Sequence, residues 1–273
     1  MTTRPARPAR PARLAQLARP SRAVGRVAVV VPARDEEELL PACLDGIDAA
    51  RDALRSRRPD VEVVVVVVLD RCTDGTAAVV SAHGHVRGVW SDTGAVGAAR
   101  AAGVAFALQD VPEAARSATW IACTDADTTV PAHWLWRQVE LAEAGADLVT
   151  GTVVPTDLGG GLFSRWRAGH TLGEGHPHVH GANLGVRADA YLAVGGFPAE
   201  PVHDDVLLVE AVRAAGHPCV ATDTTRVRTS ARRTGRVVAG GFAGYLRNLA
   251  AELPAVRAGD APVIEPAPLP EHG

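Results

Sequence analysis

Two carboxylates stand one residue apart in WIACTDADTTVPAHWL, at Asp125 and Asp127, just after a short apolar run. Oxygen-only ligands at that spacing suit a hard divalent cation, Mg2+ or Mn2+, which keeps part of its water shell and recruits phosphate oxygens. A calcium loop beginning at Asp125 would need glycine at its sixth position and glutamate at its twelfth, where the chain has Val130 and Trp136. Capping of the next helix is the plainer explanation for either acid alone. A second acidic pair, Asp204 and Asp205 in VHDDVLLVEAV, opens an apolar helical run. One acid is enough for a cap, and a carboxylate turned toward a crevice can take the proton of a hydroxyl nucleophile.

Other candidates are less specific. Gly94, Gly97 and Gly103 punctuate GAVGAARAAG, but there is no Gly-x-Gly there and no Gly-Lys-Ser/Thr anywhere. Gly94 and Gly97 either let a helix start approach phosphate or ribose, with Arg100 as counter-charge, or pack a helix tightly on a sheet. His176, His178 and His180 alternate in EGHPHVHG, so an extended segment would turn all three one way. Zinc binding by these rings and an ordinary polar loop are both open, with His180 the one set to approach a substrate. Arg226, Arg228, Arg232, Arg233 and Arg236 form a basic cluster suited to donor phosphates, an anionic acceptor or anionic lipid, or to a solvated surface.

The elements that must position these residues follow in order from Arg26. RVAVVVPA reads as a strand and RDEEELLPACLDGIDAARDALRSR as a helix, acidic at its start and basic at its end as the helix dipole favours. The strand VEVVVVVVL, the turn DRCTDGT, a helix through AAVVSAHG and the strand VRGVWSD come next. An alanine-rich helix then leads to the strand ATWIACTDAD. Continuous apolar strands alternating with helices imply a mostly parallel central sheet flanked by helices, an α/β fold. Ligands of such sheets gather beyond the carboxyl ends of the strands, where Pro32, Asp70, Asp92 and the Asp125/Asp127 pair all fall. Further on, PAHWLWRQVELAEAG, RADAYLAVGG and DDVLLVEAVRAAG read as helices, and ADLVTGTVVP and HPCVATDTTRVRTS as strands. LGGGLFSRWRAGHTLGEGHPHVHG has no clear period.

A chain of 273 residues, 47% of them apolar, can bury a core without staples. Its four cysteines have no Cys-x-x-Cys spacing, which fits a reduced, cytoplasmic setting. A net charge of −3 with both signs dispersed does not point to nucleic acid. The opening Arg-Pro-Ala repeat cannot build a packed core and reads as a disordered basic arm. It is a solubilising tail or a peripheral contact with anionic lipid at the inner face of a membrane. No window approaches a membrane-spanning run.

Taken in order, these motifs resemble the inverting, family 2 glycosyltransferases with the GT-A fold, from about Arg26 to Leu249. VVVPARDEEELLPACL is similar to the family's Pro-x-x-Asn-Glu-Glu opening, with Asp35 for the usual Asn. VVVVLDRCTDGTA resembles its nucleotide-binding strand and turn, GAVGAARAAG its third motif, and TDADT its metal motif. HGANLGVRADAYLAVGGF resembles the acceptor-side motif, which sets His180, Gly181 and Asn183 there, and HDDVLLVEAVRAAGH the motif with the catalytic base.

The resemblance implies one glycosyltransferase domain over 25–250, with a nucleotide-binding half at 25–130 and an acceptor half at 131–250. The basic arm at 1–24 and a loose Pro-rich tail at 251–273 flank it. It implies a hexosyltransferase taking a sugar from a UDP- or GDP-linked donor to an unidentified acceptor. Pro32, Ala33, Glu36 and Asp70 would hold the nucleoside, Asp70 meeting the uracil or guanine edge, and Asp125 and Asp127 would flank the diphosphate with Asp127 on the cation. Asp205 would be the base and Asp204 its local support. No Gln-x-x-Arg-Trp follows, against a processive synthase. A nucleotidyltransferase on the same sheet would want a basic, Gly-rich loop where VPARDEEELL is acidic and Gly-free. A non-catalytic sugar- or lipid-binding module would have no use for acids at both Asp127 and Asp205.

Overall fold

The computed structural model describes residues 22–232 and 241–251. Most of the arm and of the tail, together with Arg233 and Arg236, lies outside them. Eight strands form one mixed sheet: β1 Arg26–Ala33, β2 Glu62–Asp70, β3 Val86–Ser91, β4 Thr119–Cys123, β5 Thr128–Thr129, β6 Leu148–Thr156, β7 Leu184–Arg187 and β8 Cys219–Ser230. The helices are α1 Leu40–Arg57, α2 Thr76–Ala82, α3 Val96–Leu108, α4 Glu113–Arg116, α5 Trp134–Glu143, α6 Gly160–Ala168, α7 Ala188–Ala193, α8 Asp204–Ala214 and α9 Gly241–Ala251. Among the described residues, no helix is long and apolar enough to cross a membrane.

The sheet runs β3-β2-β1-β4-β7-β6-β8-β5. The first four strands and the β6/β8 pair are parallel, while β7 is antiparallel to both neighbours and β5 to β8. β1 is buried along nearly its whole length because it lies inside the sheet with helices on both faces. Val27, Val29 and Val31 pack with Leu40, Leu44 and Ile47 of α1 and Trp134 and Leu135 of α5. Val30 faces the other way, toward Val104 of α3 and Leu208 and Val209 of α8.

The parallel register sets the site. Ala33 lies opposite Leu69, and Asp70 opposite Ser91, so the loops after β1, β2, β3 and β4 open at one edge. β5 then pairs with the end of β8, Thr128 against Thr229, and Ser230 donates its N–H to the Asp127 carbonyl at 3.0 Å. That pairing brings the segment ending at Arg232 to the same edge.

The first helix differs from its sequence reading. It begins at Leu40, with Pro41 in its first turn, and carries no acid there. The acids before it serve the loop instead. Asp35 sits at φ 52°, a left-handed conformation that Asp and Asn tolerate, and its Oδ1 accepts from the N–H groups of Thr73 and Asp74. Glu37 Oε2 accepts from Gly75 N at 2.6 Å. Peptide N–H groups of the neighbouring turn thus outbid the helix end for these carboxylates, and the loops after β1 and β2 are stitched together.

Candidate active site

Acids and guanidinium groups alternate along the open edge of the sheet. Arg232 donates to both oxygens of Glu36, with Nη1 at 2.7 Å from Oε2 and Nη2 on Oε1. The same Nη2 lies 3.0 Å from Asp127 Oδ2. Arg100 donates from Nη2 to Asp125 Oδ1 at 2.6 Å and from Nη1 to Asp204 Oδ2 at 2.7 Å. Asp205 completes the line, its Oδ2 accepting from Gly181 N at 2.6 Å while the Arg100 guanidinium packs against Gly181.

Five carboxylates face two guanidinium groups along this line, an excess of negative charge that favours a cation. Burial, with the charge of Asp125 beside it and against the pull of Arg232, pushes Asp127 up to about 6. Asp125 is about one-third exposed and opens to the crevice. No group of three metal-capable His, Cys, Asp or Glu side chains occurs among the described residues. A two-carboxylate clasp of this kind fits Mg2+ or Mn2+, whose remaining positions go to water and phosphate oxygens, and does not fit a cation needing a full protein cage.

Asp204 and Asp205 are adjacent but sit in different surroundings. Asp204 is buried and committed to Arg100. Asp205 is only partly covered; burial raises its pKa, Arg100 opposes that, and Asp204 adds to it. The result is a carboxylate more basic than usual, held in place by the Gly181 and Val206 N–H groups. Neither acid is the helix cap; that position belongs to His203 at φ 63°.

Several sequence readings need correction. Arg100 is not a free counter-charge for phosphate, because it is buried between Asp125 and Asp204. Gly97 is a packing residue: a Cβ there would run into the Pro198 carbonyl oxygen and lie 2.7 Å from Asp204 Cβ. Asn183 is buried, accepting from Trp134 Nε1 at 2.9 Å and donating to the Thr152 and Thr225 carbonyls, so both its amide hydrogens are spent inside the protein rather than on an acceptor. Glu36 is spoken for by Arg232 rather than open to a nucleoside.

The histidines do turn one way, but as a stack. His178 lies 5.9 Å from His176 and 6.0 Å from His180 between ring centroids, and 5.0 Å from His170, which stacks on Trp166. His176 Nε2 donates to the Thr150 and Thr222 carbonyls, and His178 Nε2 accepts from Thr171 N. Nitrogens used this way do not converge on a metal. Burial and the neighbouring rings push His180 down to about 4, so it is neutral, and it flanks Gly181 at the edge of the crevice.

Pro32 and Ala33 end β1 at the crevice. Gly94 takes φ +68°, gives its N–H to Asp70 and lies under Arg71. Local signals for the supporting residues exist in hindsight: Ser91 and Thr93, which hold Asp70, are the polar residues of WSDTG directly after a strand.

The family model described as glycosyl transferase family 2 matches residues 28–191, more than half of the chain. The chain belongs to glycosyl transferase family 2. An uncharacterized glycosyltransferase of Mycobacterium tuberculosis is 36% identical over 142 residues, 52% of this chain and 54% of that protein. The chain thus spans about half the length of the curated relatives it matches. Staphylococcus aureus TarS in complex with UDP-GlcNAc superposes with a TM-score of 0.57 at 16% identity, over 83% of this chain and 66% of that one. The mannosyltransferase PcManGT of Pyrobaculum calidifontis, in complex with GDP-Man and Mn2+, gives a TM-score of 0.52 at 25% identity, over 77% and 58%. This family 2 member has the GT-A type fold, an α/β fold with a mixed central sheet flanked by helices.

Gly97 offers a direct check on how the site is braced. Alanine gains about 1 kcal/mol over glycine in a helix interior. At position 97 its Cβ would overlap backbone oxygens that cannot swing aside, a cost of about 1 to 3 kcal/mol or more. Gly97→Ala should lower the melting temperature and displace the 198–205 segment that carries Asp204 and Asp205. A variant as stable and active as the parent would show that this segment moves freely.

Proposed function

We propose that this glycosyltransferase moves one sugar from a nucleoside-diphosphate sugar, UDP- or GDP-linked, to an acceptor hydroxyl with inversion, assisted by Mg2+ or Mn2+. The observation that carries the reading is Arg100, which ties the diphosphate-side acid Asp125 to the acidic pair ending in Asp205. Two kinds of carboxylate, one for a cation and one for a proton, thus border a single crevice. PcManGT bound to GDP-Man and Mn2+ supports the donor class and the cation.

Asp127 and Asp125 would hold the cation. Bound there, it supplies positive charge to the diphosphate as that group departs. Asp205 takes the proton of the acceptor hydroxyl, whose oxygen attacks the anomeric carbon from the face opposite the diphosphate. One displacement inverts that centre. Asp204 and Arg100 keep Asp205 in place, and Gly181 N–H fixes the carboxylate's orientation. His180, neutral beside Gly181, borders the acceptor side.

Heat stabilisation tests this without knowledge of the acceptor. UDP or GDP at saturating concentration should raise the melting temperature, and Mn2+ should add to that rise well beyond what either gives alone. No rise with any nucleotide, with or without Mn2+, would defeat the reading. Release of the opposite anomer in the product would establish inversion.

A further inference from the structure

We infer that Arg232 and the divalent cation compete for Asp127, so that the cation is taken up together with the donor diphosphate rather than before it; this rests on the cation reading above and concerns how that site is controlled. Asp127 Oδ1 is turned into the sheet, where it accepts from Thr229 Oγ1 at 3.3 Å, and Thr229 Oγ1 in turn accepts from Thr128 Oγ1 at 2.9 Å. Oδ2 is the oxygen left for a metal, and Arg232 Nη2 lies 3.0 Å from it. A metal on Oδ2 would stand about 2.1 Å from that oxygen, in the space the guanidinium fills. Two positive charges would then share one carboxylate oxygen, and each lowers the affinity of the other.

The fold puts the guanidinium there and leaves it able to yield. Ser230 N–H bonds the Asp127 carbonyl at 3.0 Å, and Arg232 N–H bonds Ser230 Oγ at 3.2 Å, so the backbone at Arg232 is fixed beside Asp127. Glu36, which takes both guanidinium nitrogens, is fixed by its own N–H on Thr76 Oγ1 at 2.7 Å. Arg100 cannot play this part, because its side chain is 5% exposed and clamped by Asp125 and Asp204. The Arg232 side chain is 27% exposed, and its Nη2 can leave Asp127 while Nη1 stays on Glu36 Oε2.

A diphosphate changes the balance. Its oxygens complete the coordination of the metal and bring negative charge beside both cations, which offsets the repulsion between them. Metal and nucleotide therefore strengthen each other's binding, and part of that coupling is the release of Asp127 by Arg232. A cation arriving alone meets a carboxylate that is already neutralised, and binds weakly.

The test measures Mn2+ dissociation constants by calorimetry, with and without saturating UDP or GDP. It uses the full chain as parent, as Arg232→Gln, and as the double variant Glu36→Gln with Arg232→Gln. The single variant removes the charge and keeps an N–H donor for Glu36. The double variant replaces the ion pair by two amides, so no buried charge is left unpaired and the net charge equals that of the parent. Mn2+ alone should bind Arg232→Gln at least about tenfold more tightly than the parent. It should also bind the double variant more tightly than the parent, and in both variants nucleotide should strengthen Mn2+ binding by a smaller factor. Mn2+ alone binding the double variant no more tightly than the parent would overturn the inference, because a gain in Arg232→Gln would then reflect net charge only. An unchanged coupling factor would overturn it as well. Either result would leave the cation reading standing, whereas a parent that bound no Mn2+ even with nucleotide would defeat that reading, and the competition with it.

Discussion

Asp127→Ala is expected to abolish turnover and to remove the Mn2+-dependent part of nucleotide affinity. The carboxylate lies at the centre of the acidic line, beside Asp125 and within 3.0 Å of Arg232, and Thr229 Oγ1 approaches its Oδ1 at 3.3 Å. Without it, Asp125 is the single carboxylate left to the cation, and its Oδ1 already takes a guanidinium. Hydrated Mg2+ or Mn2+ has little reason to prefer one engaged carboxylate over water. The fold should survive, because Arg232 keeps both of its bonds to Glu36 and β5 keeps its backbone pairing with β8. Calorimetric titration with UDP and GDP, with Mn2+ and with chelator, reads the effect directly. Full activity of the parent enzyme in excess chelator would defeat the assignment.

The second large effect separates the base from its support. Asp205→Asn preserves an oxygen for the Gly181 N–H and gives up only the Val206 N–H contact while removing the basic carboxylate. Nucleotide affinity and melting temperature should stay near those of the parent, and transfer should fall by about a hundredfold or more. Asp204→Asn should show the opposite division. Its carboxylate neutralises the buried Arg100 at 2.7 Å, and breaking a buried pair costs on the order of 3 kcal/mol, less here because Asp125 still holds the same guanidinium. A lower melting temperature is therefore the main loss in that variant, with turnover following stability. Equal, mild losses in both would mean that the pair only begins α8, and His180 would become the first candidate for the base.

How far the sequence carried these assignments depended on the range of the forces involved. Strands β1, β2 and β4 were legible because a strand buried on both faces must be continuously apolar, and VAVVV, VVVVVVL and TWIAC have no other comfortable conformation. β7 has four residues and β5 two, too few to show a period, and both are strands only because longer neighbours pair with them. α6 was hidden by three consecutive glycines at its start, LGGGLF. The acidic pairs were visible, yet the partners that divide their roles were not. Asp204 meets Arg100 from 104 positions away, and Glu36 meets Arg232 from 196. No local pattern records such a meeting. Asp70 shows the same gap: its place at the end of a strand was legible, but the Ser91, Thr93 and Gly94 donors that it holds after β3 were not.

The 196-residue span between Glu36 and Arg232 also sets a timetable for the nascent chain. Synthesis delivers Glu36, then Asp125 and Asp127, then Asp204 and Asp205, and the Arg232 guanidinium that offsets Glu36 and Asp127 comes after all of them. The parallel β1, β2, β3 and β4 group can assemble early, since its strands lie within the first half of the chain. Arg100 can already pair with Asp125 at that stage, but Glu36 and Asp127 stay uncompensated until β8 has emerged and paired with β6 and β5. A chain halted before Arg232 would carry Glu36 and Asp127 without the guanidinium that lies between them, so the crevice takes its final charge balance only after β8 is made.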